Sequence, residues 1–241
     1  DNPHVEAKGG QLDRGSAPLR IGYEFGEAQT FDGLIDDARM YDRALTAGEI
    51  ELLYESRARC LDVCAVVSCD DGDACTTDSC DPLRGCLHQG AESLVAHWTG
   101  DGHMQDSAGG HDGASLDGGT LVYEDGVRGK AFSFGPGKER VAIPTHSALD
   151  LQRFSLEFFV RSPASEISRI VADKMNWDRY EGYDDRNFAV GISNHTCGFG
   201  KLMVYMSAPG AASGALAACG LTRVDDGEWR HVGVSYDGEV V

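Results

Sequence analysis

The stretch FDGLIDDARMYDRALTAGEIELLY, residues 31–54, contains the clearest structural signals in the chain. Its first part is an extended, half-apolar segment in which apolar residues recur between Phe31 and Tyr41. Its second part predicts a short helix, because Thr46 is a favourable N-cap and Glu49 follows it at the spacing of a capping box. The stretch therefore predicts a strand followed by a helix with one apolar side.

This stretch resembles the closing signature of laminin-G-like domains, which are jelly rolls of the concanavalin A type. In those domains a last strand F-x-G-x-I-D-D/E-x-R-x-Y is followed by R-A-L-x-x-x-E-I-x-x-L-Y. The preceding segment APLRIGYE, residues 17–24, resembles the strand that comes before this signature. The resemblance implies that residues 1–57 are the C-terminal part of such a domain, and that the beginning of that domain does not precede them here.

Residues 58–92 differ in kind, because they hold six of the eight cysteines and almost no core-forming residues. Disulfides are expected to replace the missing core, and the absence of any C-x-x-C pair argues against zinc. Part of this segment resembles the short CTxDxCD…GCxH repeat of slime-mould extracellular matrix proteins and large secreted bacterial proteins. We predict a disulfide-stapled spacer whose six cysteines leave fifteen pairings open: Cys60, Cys64, Cys69, Cys75, Cys80 and Cys86.

Residues 93–241 resemble the opening and middle of a second laminin-G-like domain. The segments that carry the resemblance are LVAHWTGDG (94–102), DSAGGHDG (106–113), GKAFSF (129–134) and DGEWRHVGVSYDG (226–238). Apolar residues alternate with others in several of these segments, which is the period-two pattern of strands with one buried face. The predicted fold is an all-β antiparallel jelly-roll sandwich with a small disulfide-rich spacer and one short helix.

In the order of a laminin-G-like domain, residues 93–241 followed by 1–57 make almost one complete sandwich. Two interpretations remain open. The chain is either an excerpt from an array of tandem domains, or a filament unit whose tail completes the sandwich of its neighbour. In both interpretations the expected partners are neighbouring copies of the same unit.

The formal net charge of −18 disfavours nucleic acids and anionic membrane surfaces, which bind basic patches. No apolar run is long enough to span a membrane, so membrane insertion is not expected. Clustered carboxylates are instead typical ligands of calcium. The laminin-G-like resemblance implies a calcium ion where the first and last strands meet, and the matching acids are Asp36, Asp37, Asp101 and Asp106.

The cysteine content predicts a secreted, extracellular or cell-surface protein. In that setting Cys197 and Cys219 are expected to form a disulfide in a hairpin, and the sequon at Asn194 permits N-glycosylation. Trp177, with Tyr180 and Tyr183, is the best candidate for a platform that binds glycans.

No catalytic residues are predicted. The related glucanases carry a strand with the pattern E-x-D-x-x-E, which this chain lacks. The G-x-S-x-G, H-E-x-x-H and P-loop patterns are also missing. We therefore expect a non-enzymatic, calcium-stabilised structural or adhesive repeat unit of a long extracellular protein or filament. The alternative is a glycan-binding module of a larger secreted enzyme or adhesin.

Overall fold

The computed structural model describes most of the chain, and all structural statements below concern those residues. They are residues 12, 17–22, 31–56, 77–81, 85–89, 94–115, 120–135, 140–175, 186–193, 195–206 and 215–238.

Three elements come from the N-terminal part of the sequence. They are β1 (Leu19–Ile21), β2 (Gly33–Tyr41) and the helix α1 (Ala47–Ser56). We call residues 17–22 and 31–56, which contain these elements, the arm. The predicted strand and helix of residues 31–54 are thus confirmed.

A two-stranded antiparallel hairpin follows within the predicted spacer, formed by β3 (Thr77–Asp81) and β4 (Gly85–Gln89). The remaining strands belong to the described residues between 94 and 238, which we call the body. They are β5 (Leu94–Trp98), β6 (Ala114–Ser115), β7 (Val122–Asp125), β8 (Lys130–Phe134), β9 (Val141–Ile143), β10 (Phe154–Arg161), β11 (Arg169–Met175), β12 (Arg186–Ser193), β13 (Lys201–Met206), β14 (Ala215–Arg223) and β15 (Arg230–Tyr236).

Arm and body strands together form two antiparallel sheets. The order is β14-β13-β12-β11-β1-β9-β6 in the seven-stranded sheet. In the six-stranded sheet the order is β15-β10-β2-β8-β7, with β5 also paired to β2. The chain is therefore an all-β sandwich with one short α-helix, as the sequence predicts.

Both arm strands lie inside these sheets and not at their edges. β1 pairs with β11 on one side and β9 on the other. β2 pairs with β10 on one side, and with β5 and β8 on the other. Residues 1–57 and 93–241, which the sequence assigns to two domains, thus contribute strands to the same two sheets, because the arm has the closing strands of the sandwich and the body has the others.

The apolar core lies between the two sheets. In β10, Leu156, Phe158 and Val160 belong to the core cluster, while Glu157 and Phe159 alternate with them. The alternation has the predicted period of two, but both faces of β10 are buried and not one, because Ser155, Glu157 and Phe159 on the opposite face are each only 1% exposed. The largest fully buried core side chains come from both the arm and the body: Phe31, Trp98, Phe132, Phe154, Phe158, Phe188 and Tyr236.

The helix α1 covers part of the outer face of the six-stranded sheet. Its N-terminus has the predicted capping box, in which Thr46 N donates to Glu49 Oε2 at 2.7 Å and Glu49 N donates to Thr46 Oγ1 at 3.3 Å. Ile50 lies directly over Gly233 of β15, where an added Cβ would stand only 3.0 Å from the Ile50 side chain. The helix is thereby fixed against the body. No helix in the described part of the chain is long and apolar enough to cross a membrane.

Candidate functional site

Asp36 and Asp37 lie where β2 departs from regular pairing with β10. The register shifts between Glu157 and Phe159, so that two residues of β2 oppose one residue of β10. Asp37 adopts a left-handed backbone with φ 54°, a conformation that aspartate tolerates better than most residues. Both residues are buried at this bulge in the middle of β2.

The Asp36 carboxylate is buried and only half satisfied. Its Oδ2 accepts hydrogen bonds from the backbone nitrogens of Val127 (2.6 Å) and Arg128 (3.0 Å), whereas Oδ1 is buried without a hydrogen-bond partner. Burial, together with the neighbouring charges of Asp37 and Asp101, raises the pKa of Asp36 to about 7 against the opposing effect of these backbone hydrogen bonds. In the described residues no basic side chain forms an ion pair with Asp36. The site therefore favours either a proton or a bound cation.

Asp101, in the loop after β5, contacts the same turn as Asp36. Its Oδ1 accepts a hydrogen bond from Lys130 N at 2.7 Å. Glycines at 126 and 129 make this approach possible, because a Cβ at Gly126 would collide with Asp36 Oδ2 and one at Gly129 would collide with Asp101 Oδ1. The turn between β7 and β8 thus gathers one carboxylate from the arm and one from the body.

Asp37 is neutralised by protein side chains. Its Oδ1 lies 2.8 Å from His97 Nε2, and its Oδ2 lies 3.3 Å from Arg39 Nη2 and 3.5 Å from Arg128 Nη1. Burial alone would raise the pKa of Asp37, but the hydrogen bond with His97 and the nearby positive charges outweigh it and lower the pKa. Asp37 therefore needs no metal ion for charge balance.

Asp106 organises the loop that follows β5. Its Oδ1 accepts from the backbone nitrogens of His97 and Ala108, and its Oδ2 accepts from those of Gly109 and His111. These distances are 2.8–3.0 Å. Because four backbone donors occupy its two oxygens, Asp106 acts as a loop anchor.

The structure thus divides the four acids of the expected calcium site into two groups. Asp36 and Asp101 meet at one turn, whereas Asp37 and Asp106 are engaged by other protein groups. The described residues contain no cluster of three or more His, Cys, Asp or Glu side chains placed to hold a metal ion.

Cys197 and Cys219 form a disulfide that joins the loop after β12 to the strand β14. Cys80 and Cys86 stand opposite each other in the register of the β3–β4 hairpin. The other predicted residues lie outside the described residues: Cys60, Cys64, Cys69, Cys75, Trp177, Tyr180, Tyr183 and Asn194.

A row of buried polar side chains on the six-stranded sheet was not predicted. Glu157 of β10 accepts hydrogen bonds from Arg39 (2.7 Å) and Tyr41 (3.2 Å) of β2, and its other oxygen lies 2.7 Å from His231 Nε2. Burial would raise the pKa of Glu157, but the hydrogen bond with His231 and the charge of Arg39 lower it. A signal was present, because Glu157 is the one charged residue in the apolar stretch FSLEFFV.

Two family models match the chain. Residues 4–51 match the concanavalin A-like lectin/glucanases superfamily, and residues 68–89 match a Dictyostelium (slime mold) repeat. Neither the curated proteins nor the solved structures provide a match. The first match covers both arm strands and part of α1, and the second lies within the predicted spacer. Together they indicate an extracellular repeat or a carbohydrate-binding module, and the Cys197–Cys219 disulfide is compatible with an extracellular location.

Proposed function

We propose that this chain is a structural or adhesive repeat unit of a long extracellular protein or filament, in which an arm completes the sandwich of a body. The observation that carries this proposal is the interior position of β1 and β2 in the two sheets. A body without an arm would lack a central strand in each sheet.

Such a body has a strong tendency to accept an arm. Strands β10 and β11 would each lose a hydrogen-bonded neighbour, and the open edges would pair with any strand of matching pattern. The connecting sequence, residues 57–93, contains the β3–β4 hairpin, and its other residues could reach either its own body or a neighbouring one at about 3.3 Å per extended residue. Arms that dock into neighbouring bodies in a head-to-tail manner build a filament, because such contacts do not close.

Calcium fits this proposal at the turn between β7 and β8. Asp36 and Asp101 would hold the ion, and the remaining oxygen ligands that calcium prefers would come from backbone carbonyls and water. The unpartnered Oδ1 of Asp36 supports this assignment. When bound, calcium would neutralise two carboxylates that otherwise repel each other. Because one comes from the arm and the other from the body, the ion would also hold the two parts together.

The proposal includes no catalysis. Glu157 is a buried acid on the outer face of the six-stranded sheet, but Arg39 and His231 hold its carboxylate. Since these contacts lower its pKa, Glu157 is a poor proton donor near neutral pH. An ion pair that joins strands is the role that these contacts support.

The deciding experiment compares the mass of the denatured, reduced chain with the size of the native particle from its source. Long native particles support the proposal. If they separate into chains of about this length, the units complete one another as individual subunits. If the reduced chain is many times longer, the units are periods of one tandem-repeat protein. Small native particles made of small chains would contradict the filament and favour a glycan-binding module.

The match to the lectin/glucanases superfamily favours glycan binding as the second candidate function. The proposed contact residues are Trp177, Tyr180 and Tyr183, whose aromatic rings could stack on sugars. Loss of signal on a glycan array after Trp177→Ala would support this role. Phe199→Ala is a suitable control, because Phe199 is a half-exposed aromatic residue that is not among the proposed contacts.

A further inference from the structure

Two buried ion pairs join the arm to the body, one in each sheet. In the seven-stranded sheet, Arg20 of β1 forms a two-pronged pair with Asp173 of β11. Nε lies 3.0 Å from Oδ1 and Nη2 lies 2.8 Å from Oδ2. Arg20 also donates to the backbone oxygen of Met175. The Asp173 side chain is fully buried, so separating it from this arginine would be unfavourable.

In the six-stranded sheet, Arg39 of β2 pairs with Glu157 of β10 at 2.7 Å. Both side chains are more than nine-tenths buried. In both pairs the arm supplies the arginine and the body supplies the carboxylate. The charges are therefore complementary between any arm and any body of the same sequence.

Each pair also specifies the strand register. Arg20 stands directly opposite Asp173, and Arg39 stands directly opposite Glu157. A slip of two residues would keep the apolar side chains facing the core, because side chains alternate along a strand. The same slip would move each arginine away from its acid and break both buried ion pairs, which is strongly unfavourable. The ion pairs thus distinguish registers that the apolar pattern alone would accept.

We propose that Arg20–Asp173 and Arg39–Glu157 form a two-part lock that decides which arm a body accepts, and that the accepted partner is its own arm or the arm of a second copy of this chain. The proposal rests on the arm–body complementation described under Proposed function. An arm that has the apolar pattern but lacks either arginine binds a body less tightly than the native arm does.

The lock can be tested in the full chain with Arg20→Asp, Asp173→Arg and the double variant. Each single variant places like charges opposite each other, and we expect its thermal midpoint to fall by roughly 10 °C. The double variant restores an opposite-charge pair within one chain and should recover most of this loss. If the double variant is no more stable than the single variants, the lock is overturned.

A mixture of the two single variants tests the choice of partner. An arm matches a body when positions 20 and 173 carry opposite charges. The arm of the Arg20→Asp chain therefore matches only the body of the Asp173→Arg chain. The arm of the Asp173→Arg chain matches only the body of the Arg20→Asp chain, so both matches require two chains. We expect native mass spectrometry with one isotope-labelled chain to find particles that contain both.

The control is a mixture of labelled and unlabelled copies of the Arg20→Asp chain. Every arm in this mixture faces Asp173 with a like charge, so the mixture should form far fewer mixed particles than the mixture of the two different variants. If the double variant is rescued but the two single variants form no mixed particles, the lock stands for the chain's own arm and the proposed assembly between copies fails.

The pair Arg39–Glu157 provides an independent test of the lock in case charge reversal at Asp173 prevents folding. Arg39→Met and Glu157→Gln remove the charges without adding like charges. The double variant should be more stable than Arg39→Met alone, which leaves the Glu157 charge without its arginine. Equal stability of these two variants would contradict the lock in this sheet.

Discussion

Arg39 and Glu157 stand opposite each other in β2 and β10, with Nη1 2.7 Å from Oε1. The contact is part of a continuous row across four strands. Asp37 lies 3.3 Å from Arg39 and 2.8 Å from His97, and His231 lies 2.7 Å from Glu157. The row therefore runs from β5 through β2 and β10 to β15, and it links the arm to the body on both sides of β2.

Removing one member of this row should be costly. We expect Arg39→Met to lower the free energy of unfolding by about 3–5 kcal/mol, because it removes one partner of the buried Arg39–Glu157 ion pair. Urea denaturation measures the change. Arg230→Met is the control: Arg230 pairs with Asp226 at the surface, and exposed pairs contribute about 1 kcal/mol or less. Equal losses in the two variants would show that the buried pair has no special role.

Calcium should stabilise the chain through Asp36 and Asp101. At a concentration about one hundred times its dissociation constant, calcium should add about 2.7 kcal/mol to the free energy of unfolding. Asp36→Asn and Asp101→Asn should each abolish most of this gain. Asp125→Asn is the matched control, because Asp125 lies in the adjacent strand β7 but its side chain is exposed. Differential scanning calorimetry with calcium and with chelator gives the comparison; a calcium effect that survives Asp36→Asn would place the ion elsewhere.

Asp36 also predicts a pH dependence in the presence of chelator. Its pKa of about 7 in the folded chain is higher than the ordinary value of 3.8. The folded state therefore binds more protons than the unfolded state between these values, and stability should rise as the pH is lowered from 8 towards 5. The size of this contribution is on the order of a few kcal/mol.

The variant Asp36→Asn isolates this contribution from other titrating groups. Since the amide does not ionise, the difference in thermal midpoint between the variant and the unmodified chain should be large at pH 8 and small at pH 5. A difference that stays constant over this range would mean that Asp36 does not titrate in it.

The Cys197–Cys219 disulfide should stabilise the edge of the seven-stranded sheet. It closes a loop with a sequence separation of 22 residues, for which the loss of unfolded-state entropy corresponds to about 3 kcal/mol. In a denaturation experiment, the double variant Cys197→Ser with Cys219→Ser should have a free energy of unfolding that is lower by this amount. Substitution is preferable to a reducing agent, which would also act on the other six cysteines. An unchanged midpoint would show that the strands hold the hairpin without the bond.

The strand–helix unit of residues 31–54 and the buried alternation of β10 could be predicted because their signals are local. A capping box involves residues three positions apart, and the side chains of a strand alternate between its two faces every two residues. The fold class follows from such signals together with the family resemblance. Predicting the strand–helix unit and the alternation of β10 therefore needs no knowledge of which strands become neighbours.

The division of the four acids could not be predicted in the same way. A carboxylate in a glycine-rich loop suits a calcium ion and a set of backbone N–H groups equally well, and only the positions of the donors distinguish the roles of Asp101 and Asp106. The pairing of Arg39 with Glu157 depends on which strands become neighbours. The order of the strands along the chain does not contain that information.

The interior position of β2 has a mechanical consequence. Tension applied through residues 57–93 acts on the end of the arm, next to α1 and β2. To withdraw, β2 must break its hydrogen bonds to β10 on one side and to β5 and β8 on the other at the same time. An edge strand would have only one such row to break. In a fibre built from these units, the joint between units would thus resist pulling from both flanks.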